Sequence, residues 1–350
     1  MRKTMMSLAA IALMTGGQSA VAQTQIKIAT LAPQNSSWAS QFQSGAKEIE
    51  ERTDGRVKLK FYWGGAQGAE SKVLQKIKIG QLHGGTFSPT DFQERYPDVN
   101  IYGLPFFFES HDEVDYVRDR IDDKLRQGFE DLGFRTFGFA GGGFAYILSN
   151  DPVRGHEDLK GKKVWLPEGD LISYEAMKAL QLSPVPLPVT DVLTGLQTGL
   201  IDIVAIPPVV ALALQWHTKV KYVTQIPVLF AMGFMAVDNR ALRRVSAADQ
   251  EIMAEVLSKV YADVDAASQS EGQNAVEALL GVGVENVEPL PGEVERLRVA
   301  MLDTNRQMAQ RGMFSTELLE EMQAYVDEFR RENGNQNAEA AGDVPSGGNP

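Results

Sequence analysis

Short apolar segments alternate with longer amphipathic segments along most of the chain. Short apolar runs predict strands, and apolar residues repeated on one helical face predict helices. The predicted strands span residues 25–31, 57–63, 84–88, 136–140, 145–149, 163–166, 203–205 and 221–223. The predicted helices span residues 35–51, 69–79, 110–128, 169–179, 189–198 and 246–280. Strands that alternate with helices in this way indicate an α/β fold.

The helix predicted from Ser246 is long for a globular protein. Its length suggests an element that runs across more than one lobe. Residues 23–330 contain neither an internal repeat nor a low-complexity linker. Two lobes joined by several crossing segments fit this absence better than two separate domains in tandem. A cleft between such lobes is where small molecules usually bind.

The two ends of the chain differ in composition from the middle. Arg2 and Lys3 precede an apolar run over residues 5–14, and small residues at 20 and 22 form a secretory cleavage pattern. Residues 1–22 are therefore predicted to be a signal peptide cut after Ala22, which places the mature protein outside the cytoplasm. An uncleaved anchor is the alternative, although the apolar run is too short to span a bilayer. Residues 332–350, rich in Gly, Asn and Ala, are predicted to be a disordered tail.

Charge and cysteine content narrow the classes of partner and chemistry. The formal net charge is −12, from 34 Lys+Arg against 46 Asp+Glu. An acidic surface of this kind argues against nucleic acid or an anionic membrane as the main partner. The chain has no cysteine, which excludes disulfides, thiolate nucleophiles and thiolate zinc sites. The four histidines are scattered without metal-ligand spacing, so neither a metal nor a cofactor is predicted.

Few residues suggest catalysis. The glycine run at 141–143 lacks phosphate-loop spacing and opens no helix, so a strand bend or a close backbone approach is the better interpretation. His156 lies in a polar turn and is interpreted as solvated. His83 lies at the mouth of a predicted strand, in a Gly-rich context, and is a candidate to face a ligand. Glu168 could be a pocket acid, and Asp170 is interpreted first as the N-cap of the next helix. No nucleophile, acid/base pair or metal set emerges, so the sequence does not predict an enzyme.

Six blocks of sequence, in order along residues 25–330, resemble the DctP-type solute receptors of TRAP (tripartite ATP-independent periplasmic) transporters. The signature blocks are EDLKGKKVWLP at 157–167, PVPLP at 184–188 and DVLTGLQTGLID at 191–202. The upstream blocks are FYWGGAQG at 61–68, IGQLH at 79–83 and LPFFF at 104–108. Agreement at several separate blocks makes the resemblance strong for fold and general role.

The resemblance implies a two-lobed periplasmic-binding-protein fold of type II-like topology, each lobe a mixed sheet flanked by helices. Lobe I is expected over residues 23–140 with 235–265 returning to it, and lobe II over 141–234. The long helix and the C-terminal helices, 246–331, are expected to pack across both lobes. The resemblance also implies a periplasmic, monomeric receptor that closes on a small-molecule ligand and delivers it to membrane permease subunits.

The sequence departs from the family where the ligand should bind. Family members place an Arg in the K-x-R-x-P block to pair with a ligand carboxylate, but Trp165 stands there. Ala145 stands where a second family Arg is expected, and the segment 202–208, with Ile206, is apolar where a polar residue is usual. A buried carboxylate without a partner costs several kcal/mol, which reduces affinity on the order of a thousandfold. Simple carboxylates are therefore poor candidates.

A neutral or largely apolar ligand, aromatic or lipid-like, is the favoured hypothesis, because an indole face can bury a large apolar area. About half of the candidate aromatic rings are expected to be core residues instead. The candidate ligand-binding residues are Trp38, Glu70, His83, Phe87, Ser88, Phe144, Ala145, Trp165, Glu168, Ile206 and Trp216.

Two alternatives remain open. A cationic ligand could bind aromatic faces together with Glu70, Glu168 or Asp170. The fold could also serve as a ligand carrier or accessory protein for another envelope transporter, because loss of the family arginines makes such a change of role plausible.

Overall fold

A computed structural model describes residues 23–342, except for the side chains of residues 269 and 334–342. The predicted signal peptide, residues 1–22, lies outside the described residues. The strands are β1 Thr24–Ala29, β2 Val57–Tyr62, β3 Gly84–Phe87, β4 Phe134–Arg135, β5 Phe139–Ser149, β6 Lys163–Pro167, β7 Ser183–Leu187, β8 Ile203–Ile206, β9 Tyr222–Asp238 and β10 Glu285–Val287. The helices are α1 Ser37–Arg52, α2 Glu70–Lys78, α3 His111–Asp131, α4 His156–Leu159, α5 Leu171–Ala179, α6 Val192–Thr198, α7 Pro208–Ala213, α8 Asn239–Leu242, α9 Ala247–Gly281, α10 Glu293–Gln310 and α11 Thr316–Gly342.

Two long antiparallel strands connect the two halves of a mixed sheet. The strand order is β2-β1-β3-β9-β5-β8-β6-β7, with β4 and β10 paired to β9. β1 is parallel to β2 and β3, and β6 is parallel to β7 and β8. β9 pairs with β3 near its end and with β5 along much of its length. β5 and β9 therefore carry the chain from one half of the sheet to the other.

The sequence prediction recognised only parts of these two strands. Residues 136–140 and 145–149 were expected as separate strands, but the structure joins residues 139–149 into β5. Only 221–223 was predicted of β9, which extends to Asp238. A strand covered on both faces is a continuous apolar run without alternation, which periodicity cannot distinguish from a buried helix. Pro227 interrupts the pattern further and falls where the pairing with β5 is irregular.

The glycine run bends β5, as the sequence predicted. The pairing with β9 shifts register between Gly141 and Gly143, and Gly143 has a φ of 88°. This left-handed backbone belongs to a β-bulge, where glycine is the residue without a steric penalty.

Replacing Gly143 with alanine is expected to lower the free energy of unfolding by about 1–2 kcal/mol, because an L residue is strained at positive φ. Gly142→Ala is the matched control, since its added Cβ would lie 3.5 Å from the nearest atom, an ordinary contact. Denaturant unfolding of both variants checks this. Equal losses would show that the bulge does not depend on the Gly143 conformation.

The long helix predicted from Ser246 is present as α9, capped by the Ser246 side chain. Leu257, near its first third, packs with Ile26 and Ile28 of β1. Leu279, near its end, packs with Leu148 of β5 in the other half of the sheet. The helix thus reaches both halves, which accounts for its length.

A buried ion-pair cluster fixes the middle of α9 to β5 and α3. Arg118, only 7% exposed, donates to Asp265 of α9 (2.7 Å), to Asp122 (3.3 Å) and to the Phe139 carbonyl (2.8 Å). The second oxygen of Asp265 accepts the Gly141 N–H at 2.6 Å. The cluster therefore ties the long helix directly to the bend in the crossing strand.

At the C-terminal end, α11 packs on the first half of the molecule through Leu318, Met322 and Val326. The helix continues to Gly342 and so enters the segment from residue 332 for which composition predicted disorder. Residues 343–350 lie outside the described residues.

Candidate functional site

A cavity of about 240 Å³ lies where the two halves of the sheet meet. Its mouth is formed by the residues after β3, including Ser88 and Thr90, and by the ends of β6 and β8. From there it extends beneath α5 into the apolar cluster that contains Ala176 and Met301. The site therefore has a mouth between the halves and a deep part inside the second half.

The lining is almost wholly uncharged. Among the described residues that line the cavity, Asp170 is the one ionisable side chain and none is Lys, Arg or His. The polar contribution otherwise comes from side chains near the mouth: Ser88, Thr90, Asn100 and Ser173. The remainder are aliphatic or aromatic residues, glycine and proline. No cationic side chain among these described residues could form an ion pair with a ligand carboxylate.

Asp170 serves the fold. Its carboxylate accepts the Ser173 backbone N–H at 2.9 Å and so caps the N-terminus of α5, which confirms the first interpretation of this residue. Burial raises the pKa of the Asp170 carboxyl, against hydrogen bonds from Ser173 and Ile172 that lower it. The carboxylate is thus engaged by the protein as the cap of α5.

At the other side of the mouth, Asp91 positions Ser88. The Asp91 carboxylate accepts from the Ser88 N–H at 2.8 Å and from the Ser88 hydroxyl at 3.0 Å. Burial, followed by the nearby Glu70 carboxylate, raises the pKa of Asp91 to about 7. The orientation of Ser88 is therefore coupled to a carboxyl group that titrates near neutral pH.

The stability of the protein should consequently depend on Asp91 between about pH 4 and pH 7. Because the pKa of this carboxyl is higher in the folded chain than in the unfolded chain, the folded state holds more protons in this window, and stability falls as pH rises through it. Asp91→Asn is expected to flatten that decline. Chemical denaturation at pH 5 and pH 8 measures the difference, and Glu94→Gln, exposed and three residues away, controls for net charge. An unchanged slope in Asp91→Asn would contradict the assignment.

The structure brings four of the predicted site residues to the cavity: Ser88, Ala145, Trp165 and Ile206. Trp165 is only 3% exposed, and its ring packs edge to face on Trp216 at 5.2 Å. Its Nε1–H is donated to the Leu187 carbonyl at 3.0 Å. Trp165 borders the cavity, but its one hydrogen-bond donor and much of its ring are engaged in the core.

The other seven predicted residues lie outside the cavity lining. Phe87, Phe144 and Trp216 are core side chains. The first two lie on strands and pack edge to face on Phe92 and Phe230. Trp216, in a short helical turn, packs on Trp165. His83 accepts the Lys27 N–H at 3.1 Å between strands, and burial lowers its pKa.

Trp38 and Glu70 border two separate depressions. Trp38 lies opposite α7, and Glu70 begins α2 near Asp91, where burial raises its pKa. Glu168 is exposed in the turn before α5. Of the acids and aromatic rings proposed for a cationic ligand, Asp170 and Trp165 line the cavity, whereas Glu70, Glu168 and the other proposed rings do not.

Sequence reasoning missed the residues of the deep part. They come from α5, from the turn after it and from α10, for example Ala176, Met177, Leu182, Leu297 and Met301. The signal was present as the apolar spacing of α5, but a stripe of this kind normally indicates core packing. Only the fold shows that this stripe leaves space against the sheet.

Within residues 23–342, no helix has the length and apolar character needed to cross a membrane. The same part of the chain contains no group of three or more His, Asp or Glu side chains arranged to hold a metal ion.

Comparison with known proteins identifies relatives along most of the chain. The family model described as bacterial extracellular solute-binding protein, family 7 (DctP), matches residues 28–311. A solute-binding protein of Verminephrobacter eiseniae is 28% identical over 236 residues, which cover 67% of this chain and 70% of the relative.

Solved structures share the fold at lower identity. A TRAP periplasmic solute-binding protein from Desulfovibrio salexigens with bound orotic acid superposes with a TM-score of 0.80 at 19% identity, covering 88% of this chain and 99% of the other. The sugar acid binding protein of Advenella mimigardefordensis, in complex with galactonate, gives 0.82 at 17% identity with the same coverage. These likenesses confirm the predicted two-lobed α/β fold.

Proposed function

Because the chain belongs to family 7 of the bacterial extracellular solute-binding proteins, a family of receptors and not of enzymes, we propose that it captures an uncharged, largely apolar solute. The solute binds in the cavity between the halves of the sheet and is delivered to the membrane subunits of a TRAP-type transporter. The observation that carries the ligand class is the lining, which has no cationic side chain among its described residues.

The energetic argument is one of desolvation. A carboxylate that enters an apolar cavity loses its water and needs a charged or multiply hydrogen-bonding partner in return. The related structures named above hold orotic acid and galactonate, whereas here Trp165 and Ala145 occupy the positions of the expected arginines. An apolar solute meets no such penalty. Its binding becomes more favourable as more of its apolar surface is removed from water.

Closure of the two lobes would retain the solute. We propose lobe I over residues 23–140 with 235–265, lobe II over 141–234, and a hinge formed by β5, β9 and α9. A ligand that contacts both lobes stabilises the closed form over the open one by its difference in affinity for the two. Export through a signal peptide cut after Ala22 belongs to the same proposal, and N-terminal sequencing of the exported protein tests it.

A thermal-shift screen tests the ligand class. A ligand present at a hundredfold its Kd stabilises the folded state by about 2.7 kcal/mol, which raises the Tm by several degrees in a protein of this size. Neutral apolar compounds such as medium-chain alcohols are expected to raise the Tm, whereas succinate, galactonate and orotate are expected to leave it unchanged. Stabilisation by any of these three acids would contradict the proposed class, and stabilisation by a quaternary amine would favour the cationic alternative.

A further inference from the structure

The deep part of the cavity is shaped by one face of α5. Ile172, Ala176 and Leu180 recur at intervals of four residues, with Met177 beside them, and all line the cavity. The stripe from Ile172 to Leu180 extends roughly 12 Å along the helix. The space beneath α5 is therefore long in one direction.

This space runs along the strand direction, from the carboxyl ends of the parallel strands β6 and β7 towards their amino ends. Asp170, at the start of α5, follows β6 at the mouth, whereas Leu182 immediately precedes β7. β6 and β7 are parallel, so these two residues mark opposite ends of the strands. Both line the same cavity, which thus follows α5 from the cleft into the second half.

The two ends of the cavity differ in chemistry. The mouth offers the hydroxyl groups of Ser88, Thr90 and Ser173, whereas the deep end is walled by Leu159, Leu182 and Met301. Phe106 is the one aromatic ring that this apolar cluster contributes to the described lining. Walls that are otherwise aliphatic, around a narrow space, fit a flexible hydrocarbon chain better than a flat ring.

The small side chain of Ala176 leaves space at the middle of the stripe. It is buried, 4% exposed, between larger side chains on the same helical face. An apolar cavity that remains unfilled weakens packing and stays dry, which favours an apolar occupant. An engineered apolar cavity of about 150 Å³ holds benzene, with six carbons. In proportion, the 240 Å³ cavity accommodates roughly ten carbon-sized groups, the headgroup included.

The geometry points to a binding site for a single saturated hydrocarbon chain of roughly eight carbons, inserted under α5 with an uncharged, hydrogen-bonding headgroup at the Ser88 side of the mouth. This inference rests on the proposed function and names its ligand more closely. The solute class is an aliphatic amphiphile with a neutral polar end.

Titration with n-alkanols from butanol to dodecanol tests this site on the full-length mature protein by calorimetry. Affinity is expected to rise about fourfold for each added methylene and to level off near eight carbons. Octanoate is expected to bind at least a hundredfold more weakly than octanol, because its carboxylate finds no cationic partner at the mouth.

A matched pair of variants, with a third that enlarges the cavity, locates the effect. Ala176→Phe fills the middle of the space and is expected to abolish the gain from chain length, whereas Ala179→Phe, the same change on the exposed side of α5, is expected to preserve it. Circular dichroism verifies that both variants are folded. Leu180→Ala enlarges the deep end without adding bulk and is expected to shift the plateau to chains about two or three carbons longer.

Affinity that does not change with chain length, or an Ala176→Phe variant that keeps the full dependence, would overturn the chain site. With either result, the receptor proposal still holds if succinate, galactonate and orotate leave the Tm unchanged in the thermal-shift screen. Tighter binding of octanoate than of octanol would instead overturn both the neutral headgroup and the proposed ligand class.

Discussion

Replacing Arg118 with methionine is expected to lower the free energy of unfolding by about 3–5 kcal/mol, the cost of leaving buried charges without their partner. Methionine retains the apolar length of the side chain, so the loss reports on charge rather than on volume. Arg118 faces Asp122 and Asp265, and removing the guanidinium leaves both carboxylates without their cation. One hydrogen bond to each then remains, from the Tyr102 hydroxyl to Asp122 and from the Gly141 N–H to Asp265. Urea denaturation measures the effect.

The matched control lies two turns further along the same helix. Arg126 is exposed and pairs with Asp123, which is more exposed still, so Arg126→Met is expected to cost less than about 1 kcal/mol. Adding Asp265→Asn to Arg118→Met is expected to recover part of the loss. Equal effects of the two single substitutions would show that the cluster does not hold α9 against the bend in β5.

Replacing Trp165 with alanine is expected to lower the free energy of unfolding by about 3–5 kcal/mol, the usual range for a large aromatic residue removed from a core. The ring packs on Trp216, and its N–H is bonded to Leu187. Trp38→Ala is the control, since Trp38 is only partly buried, and it is expected to cost clearly less. Thermal unfolding of both variants decides the comparison.

Substitutions at Trp165 also distinguish a structural role of its ring from a ligand-binding role. If its ring mainly supports the cavity wall, Trp165→Phe should recover much of the stability and retain solute binding. A Trp165→Ala variant with normal stability but no solute binding would mean that the indole acts directly on the ligand.

The fold was largely predictable from local patterns. The spacing of apolar residues located most helices, and the Ser246 cap with its long periodic run predicted α9. The two crossing strands were harder, because residues 226–237 of β9 are all apolar, Gly or Pro, so the sequence shows no alternation with polar residues. β7 was missed since two prolines lie within its five residues, a composition that argues against a strand unless it is an edge strand, as here.

The site was less predictable than the fold. The missing arginines were visible at Trp165 and Ala145, and both residues border the cavity. The direction in which a side chain points could not be deduced from the sequence. Phe144 and Trp216 were therefore proposed as ligand contacts, although they are core residues. The deep residues such as Ala176 were missed for the converse reason, since an apolar helix face gives no sign of the space left beside it.

The most direct test of the central claim, an uncharged apolar solute in this cavity, is identification of the compound that co-purifies with the protein. The compound would be released from the protein by denaturation, identified by mass spectrometry, and rebound to refolded protein stripped of ligand. The account predicts a neutral compound with an aliphatic chain, bound near one equivalent and recovered unchanged after rebinding. A stoichiometrically bound dicarboxylate or sugar acid would contradict it.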